Sequence, residues 1–182
     1  MKPMRRKRQQ LGEGACREIL ERGRECVLAL AGSDATDGHP YAVPVNYVFS
    51  SAREGDGSLG HVLIHCAPAG AKLDALAADE RVSVCVIDRA DVAPENLTTL
   101  FRSVIAFGRA RLVESGDERR AALVALAGKC APDLSTEAVD AEVARFFART
   151  AVIDVALERV SGKQCIELVE DAPGEPTEGG LS

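Results

Sequence analysis

The sequence predicts a mainly β fold with helices added, an antiparallel sheet closed into a barrel, and three observations carry that expectation. Six runs have the length and apolar or alternating pattern of strands, and turn-forming residues separate several of them. The regular strand–helix alternation of a parallel doubly wound sheet is missing. With 182 residues and 46% apolar content, the chain can bury one sizeable core, expected as a single domain over residues 1–170.

Each element follows from local pattern. Residues 13–22 place Cys16, Ile19 and Leu20 at helical spacing, and Gly23 offers a stop. Residues 26–31 read as a buried strand, and the polar loop 32–38, ending in Asp-Gly, returns the chain antiparallel into a second strand over 41–50. The Gly, Asp and Ser content of 51–60 predicts a turn. A third strand at 62–66 leads through Pro68 to a short helix over 70–78, and Val82, Val84 and Val86 give a fourth strand over 81–88.

Residues 89–100 have no clear period and are expected to be irregular, before a long strand over 102–114. Ser115-Gly-Asp-Glu118 matches a capping box that opens a helix to about residue 129, with Leu123, Leu126, Ala127 and Cys130 on one stripe. A second helix over 136–148 turns Val139, Val143, Phe146 and Phe147 inward, and residues 152–160 form the closing strand. From residue 171 onward Pro, Gly and Glu dominate, which predicts a disordered tail.

Composition excludes several function classes. A formal charge of −6 argues against general attraction to nucleic acid; the basic run at residues 2–8 reads as a solvated arm, with folding over a cofactor phosphate as the alternative. No apolar run of about 18 residues predicts a membrane span, and no apolar stretch follows the basic start as in a secretory signal. Six cysteines at 16, 26, 66, 85, 130 and 165 include no CxxC pair, so most are expected to be buried small hydrophobes in a reducing cytoplasm. His61 and His65 lie on one strand face without a third ligand at metal spacing, and His39 reads as a turn residue. No Ser/His/Asp order or paired acidic motif suggests hydrolysis.

Two neighbouring stretches carry the candidate site: Pro40-Tyr-Ala-Val-Pro-Val-Asn-Tyr-Val48, and His61-Val-Leu-Ile-His-Cys-Ala-Pro-Ala-Gly-Ala-Lys72. Pro44 lacks a ladder donor, so its strand belongs at an edge or a bulge, where backbone groups stay free. The turn into the 70–78 helix exposes N–H groups at the positive end of a helix dipole, and Lys72 adds a charge in the first turn.

The N-terminal Met4-Arg-Arg-Lys7 and the blocks Asp37-Gly-His-Pro-Tyr-Ala-Val-Pro-Val-Asn-Tyr47, His65 to Lys72, Arg102-Ser-Val-Ile-Ala-Phe-Gly108 and Ser161-Gly-Lys163 resemble, in order over residues 4–168, the FMN-binding split barrels of the pyridoxamine 5'-phosphate oxidase type, in particular their nitroimidazole-resistance-like branch. The resemblance implies an antiparallel split β-barrel with peripheral helices and an FMN held at a homodimer interface. It also implies an oxidoreductase activity on a small molecule, here a planar or nitroaromatic-like compound, with NADH or NADPH as a possible donor.

Carried over residue by residue, the resemblance puts Pro44, Val45, Asn46 and Tyr47 against the flavin ring and Lys72, then Ser103 with Arg102 beside it, at the phosphate. His65 reads equally as a ring or phosphate contact and as an ordinary strand histidine; Cys66 reads as a packing residue beside the same turn. A flavin accepts or donates hydride itself, so the lack of a protein nucleophile does not count against an enzyme. Two other classes stay open on the same barrel: a haem- or flavin-binding module without turnover, with His65 as an axial ligand, and a deazaflavin-dependent reductase.

Overall fold

The computed structural model describes residues 5–170. The expected tail at 171–182 and the first residues of the basic arm lie outside them, while residues 5–8 are exposed. A short strand β1 (Gln10–Leu11) precedes α1 (Glu13–Arg22), whose apolar stripe Cys16, Ile19 and Leu20 is buried as its spacing requires. Then follow β2 (Glu25–Leu30), β3 (Tyr41–Asn46), β4 (Val48–Ser50), β5 (His61–Cys66), α2 (Ala71–Ala78), β6 (Arg81–Ala93) and β7 (Thr98–Leu112). Helices α3 (Gly116–Cys130) and α4 (Thr136–Phe146), strand β8 (Ala151–Gln164) and a last turn α5 (Glu167–Glu170) complete the order.

All strand pairs are antiparallel, in the order β3-β2-β6-β7-β8-β5-β4, with β1 added to β8. The two ends of this sheet, β3 and β4, are consecutive in the chain, so the sheet curls until its edges meet at Tyr47. The result is a split barrel. Its interior is filled by Leu28, Ile64, Val84, Val104, Ile153 and Leu157, all fully buried, and α1 and α2 pack against the same core.

Five local expectations are corrected. The strand over 41–50 is broken at Tyr47, because that side chain turns into the core and its N–H donates to the Arg24 carbonyl at 3.0 Å, while β3 pairs with β2 and β4 with β5. The stretch 89–100 is a regular hairpin: β6 runs on to Ala93, turns at Pro94–Asn96 and Leu97 (φ 49°), and returns as β7. Its period is hidden in sequence because the register slips by one residue between Ile87 and Arg89, which moves the outward set to the other parity.

The capping box is half made: the Ser115 hydroxyl accepts from the Glu118 N–H at 3.4 Å, but the Glu118 carboxylate goes to Arg111 and Arg53 instead. On α3 the buried residues are Ala122 and Leu126, and Cys130 is exposed. The closing strand is longer than expected and, from Ala151 to Val155, buried on both faces, since α3 covers one side and the barrel core the other. That double burial defeats the alternation rule.

Candidate functional site

The split lies where β3 leaves the sheet edge. Across β4 and β5, Val48 is paired with Leu63; the same register continued past Tyr47 sets Asn46 level with His65 and Val45 with Cys66, where no ladder is made. A notch therefore opens between Pro44–Asn46 on one side and the end of β5 on the other. Along β3 the exposure alternates, with Pro44 and Asn46 outward and Val43 and Val45 packed on the core. As Pro44 predicted, β3 is an edge strand. Asn46 spends its amide on the Arg24 carbonyl at 3.4 Å.

On the other lip, His65 is exposed, Cys66 is half-buried, and the chain turns through Gly70 into α2. Gly70 has φ 124°, a backbone conformation that L side chains rarely adopt, and it sets the first turn so that its carbonyl takes the N–H groups of Leu73 and Asp74. The amides of Ala71 and Lys72 are left at the helix start. Burial raises the Cys66 thiol and the nearby ammonium of Lys72 pulls it back, which places the lysine's charge at the notch. Asp74 in the same turn opposes part of that positive field.

Tyr47, Arg102 and Ser103 stand elsewhere. Tyr47 is fully buried, its hydroxyl donates to the Leu20 carbonyl at 2.8 Å, and the Lys129 ammonium lies 4.5 Å from its ring centre. Burial pushes the phenol above its ordinary range, so it is a core group rather than a surface contact. Arg102 donates to Asp88 at 2.5 Å, a carboxylate shared with Arg22. Ser103 sits inside β7, five residues from its start, beside Lys163 of β8 and Ile87 of β6. Helix α2 lies by Leu112, with Leu73 and Leu112 lining one groove; nine residues, roughly 30 Å of strand, separate Leu112 from Ser103. Within one chain, the fold brings together Pro44, Val45, Asn46, His65, Cys66 and Lys72, and does not bring Arg102 or Ser103 to them.

A second polar cluster was missed entirely by sequence reasoning. His61 and Asp154 are 2% and 1% exposed, yet the imidazole Nδ1 lies 2.8 Å from the Asp154 carboxylate and Nε2 lies 2.6 Å from that of Asp56. Arg53 and Arg111 each donate to Asp154 at 2.8 Å. Ser58 Oγ stands 3.3 Å from Nε2, so the fold assembles the Ser/His/Asp trio that no sequence order suggested. It cannot act as a nucleophile–base pair, because Asp56 occupies Nε2 at the shorter distance and the serine oxygen accepts the Gly60 N–H. The available signal was Asp154 itself: a lone carboxylate inside an apolar strand demands buried partners.

Beside this cluster, Gln10, Leu11, Glu13, Cys16, Arg17 and Phe49 border a cleft of about 330 Å³ between α1 and the barrel, closed on one side by Leu59.

Comparison with known proteins agrees with this architecture. The family described as pyridoxamine 5'-phosphate oxidase matches residues 12–164. A candidate 5-nitroimidazole antibiotic resistance protein from Bacteroides thetaiotaomicron is 20% identical over 85% of each chain, with TM-score 0.60. A conserved hypothetical protein from Mycobacterium tuberculosis is 17% identical over 97% of this chain and 98% of its own, with TM-score 0.72. A FAD and haem binding protein from Mycobacterium smegmatis is 20% identical over 92% and 81%, with TM-score 0.60. No curated protein matches the chain. At these identities the structural likenesses speak to the fold.

Proposed function

The chain belongs to the pyridoxamine 5'-phosphate oxidase family, and from that premise we propose that it binds FMN in the notch between β3 and the end of β5 and acts as an oxidoreductase on a small planar or nitroaromatic-like compound. The observation that carries this reading is the free β3 edge facing the Gly70–Lys72 turn: backbone donors and acceptors for a ring edge stand opposite helix-start amides and an ammonium for a phosphate. Bound flavin supplies hydride or electron transfer. The chain's own residues position it: Pro44 to Asn46 along the ring, Lys72 on the phosphate, and His65 and Cys66 at the lip.

A homodimer is part of the proposal. Ile87 and Ile105 are 62% and 42% exposed on the outer sheet face that also carries Ser103 and Pro44, an apolar surface suited to a second copy. Since Ser103 stands far from Lys72 within one chain, its contact to a phosphate requires the partner protomer. The absorption spectrum of purified protein tests the ligand, and light scattering tests the dimer. Anaerobic mixing of FMN-loaded protein with NADH or NADPH and a nitroaromatic acceptor, followed at the flavin band, tests turnover. A flavin that never bleaches with any donor sinks the enzyme reading.

One observation favours a second reading. His65 is exposed at the lip, which suits an axial ligand in a haem-binding module. A Soret band in place of flavin bands would select it, and neither band with bound deazaflavin would select the third class.

A further inference from the structure

The loop 51–60 is held at several points, and one of them is a buried histidine between two carboxylates. Its Ser51 hydroxyl accepts from Arg17 at 2.8 Å, its Leu59 N–H donates to the Leu157 carbonyl at 2.8 Å, and Arg53 reaches Asp154 and Glu118. Between these, Asp56 folds the loop on itself by accepting the N–H groups of Arg53 and Ser58, and it meets the buried ring of His61. Because Asp154 occupies the opposite ring nitrogen, only an imidazolium can donate to both carboxylates at once.

We infer that His61 is a protonation-dependent clasp: charged, it ties the Asp56 turn of the 51–60 loop to β8 beside the α1 cleft, and on losing its proton it frees that turn. The groups facing the ring from each packed element are Asp56 and, behind it, Arg53 from the loop, Asp154 from β8, Arg111 from β7 and Glu118 from α3. With His61 charged, three cations face three anions. A neutral ring has one N–H, so one carboxylate is left against a lone pair; Asp154 retains two arginines, whereas among the described residues Asp56 is paired only with His61, so the outer contact is the one that opens. The hydrogen bonds of the Ser58 N–H and of His61 hold the Asp56 carboxyl well below the ordinary carboxylate range, so mild acid does not release the clasp from the other side. Histidine is the side chain whose ordinary titration spans pH 5 to 8. Leu59 and Arg17 border the cleft, so the loop's freedom changes the cleft's mouth.

The test is side-chain ¹⁵N NMR of the three histidines in the intact protein, combined with hydrogen exchange of the Arg53 and Ser58 amides. At about pH 6 both ring nitrogens of His61 are expected to carry protons. As the ring becomes neutral, the two amides should exchange about tenfold faster than the base-catalysed rise alone gives. Asp56→Ala, a surface change that spares the core, should put both amides at the open rate at every pH. The inference is overturned by a neutral His61 at pH 6, by titration of the ring without change at the amides, or by an unchanged pH response in Asp56→Ala.

Discussion

The Tyr47 phenol occupies the space that a side chain at Gly23 would need: a Cβ there would sit 2.5 Å from the Tyr47 oxygen and 2.9 Å from Val86. One residue ends α1 and the other breaks the strand, so the pair locks the helix to the split edge. Tyr47→Phe should cost about 1–2 kcal/mol, the scale of a lost buried hydrogen bond, and Gly23→Ala about 1–3 kcal/mol by overpacking. Urea unfolding measures both; an unchanged midpoint in Tyr47→Phe would mean that the bond to Leu20 contributes nothing net.

Asp154→Asn should be far more damaging than loss of any surface pair. Its buried carboxylate meets His61, Arg53 and Arg111, and breaking such a cluster costs about 3–5 kcal/mol. By contrast Glu158→Gln, which breaks only the exposed pair with Arg109, should cost below about 1 kcal/mol. Equal losses would show that burial is not what sets the scale.

Stability should fall in acid. Burial pushes the Asp88 carboxyl upward, but hydrogen bonds from Arg22 and Arg102 outweigh it and hold it below its ordinary value, and hydrogen bonds from Arg81 bring Asp79 to about 2. For carboxyls depressed in the folded state, the contribution is present above the unfolded value of about 4 and is lost as pH falls through the folded values. Thermal midpoints should therefore drop between about pH 4 and pH 2, and less steeply in Asp88→Asn relative to its own neutral-pH midpoint.

Thiol labelling should follow burial. Burial pushes Cys26 up to about 12 and raises Cys16 and Cys85, whereas Cys130 is exposed on α3. Mass mapping after brief alkylation of native protein should find Cys130 modified first and Cys26 untouched. Early modification of Cys26 would show that β2 opens readily.

If FMN occupies the notch, Lys72→Ala should weaken it by about 1.5–3 kcal/mol while riboflavin, which lacks the phosphate, barely changes. Titration by flavin fluorescence reads both. Equal losses would place the lysine's role in the fold or at the ring.

Much of this fold was legible where one face of an element is buried and the other is wet. Helix α1 and the Val82, Val84, Val86 row followed their periods, and Pro44 alone placed β3 at an edge. What failed were features set by distant chain. A one-residue slip near Asp88 concealed a hairpin, double burial hid the extent of β8, and nothing local to Tyr47, which the resemblance set against a flavin ring, reveals that its side chain is buried with its hydroxyl on Leu20. The candidate site divides the same way: both lips of the notch were contiguous motifs, while the His61 cluster joins residues 93 positions apart in the chain.

Strand β8 bonds to β1, β5 and β7, so three partners wait on residues that leave the ribosome well after them. Until then β5 holds only the three-residue β4, and β7 presents a long open border. A nascent chain in that condition is exposed to mispairing with its neighbours, and its folding is bound to be dominated by late, long-range closure rather than by the early helices.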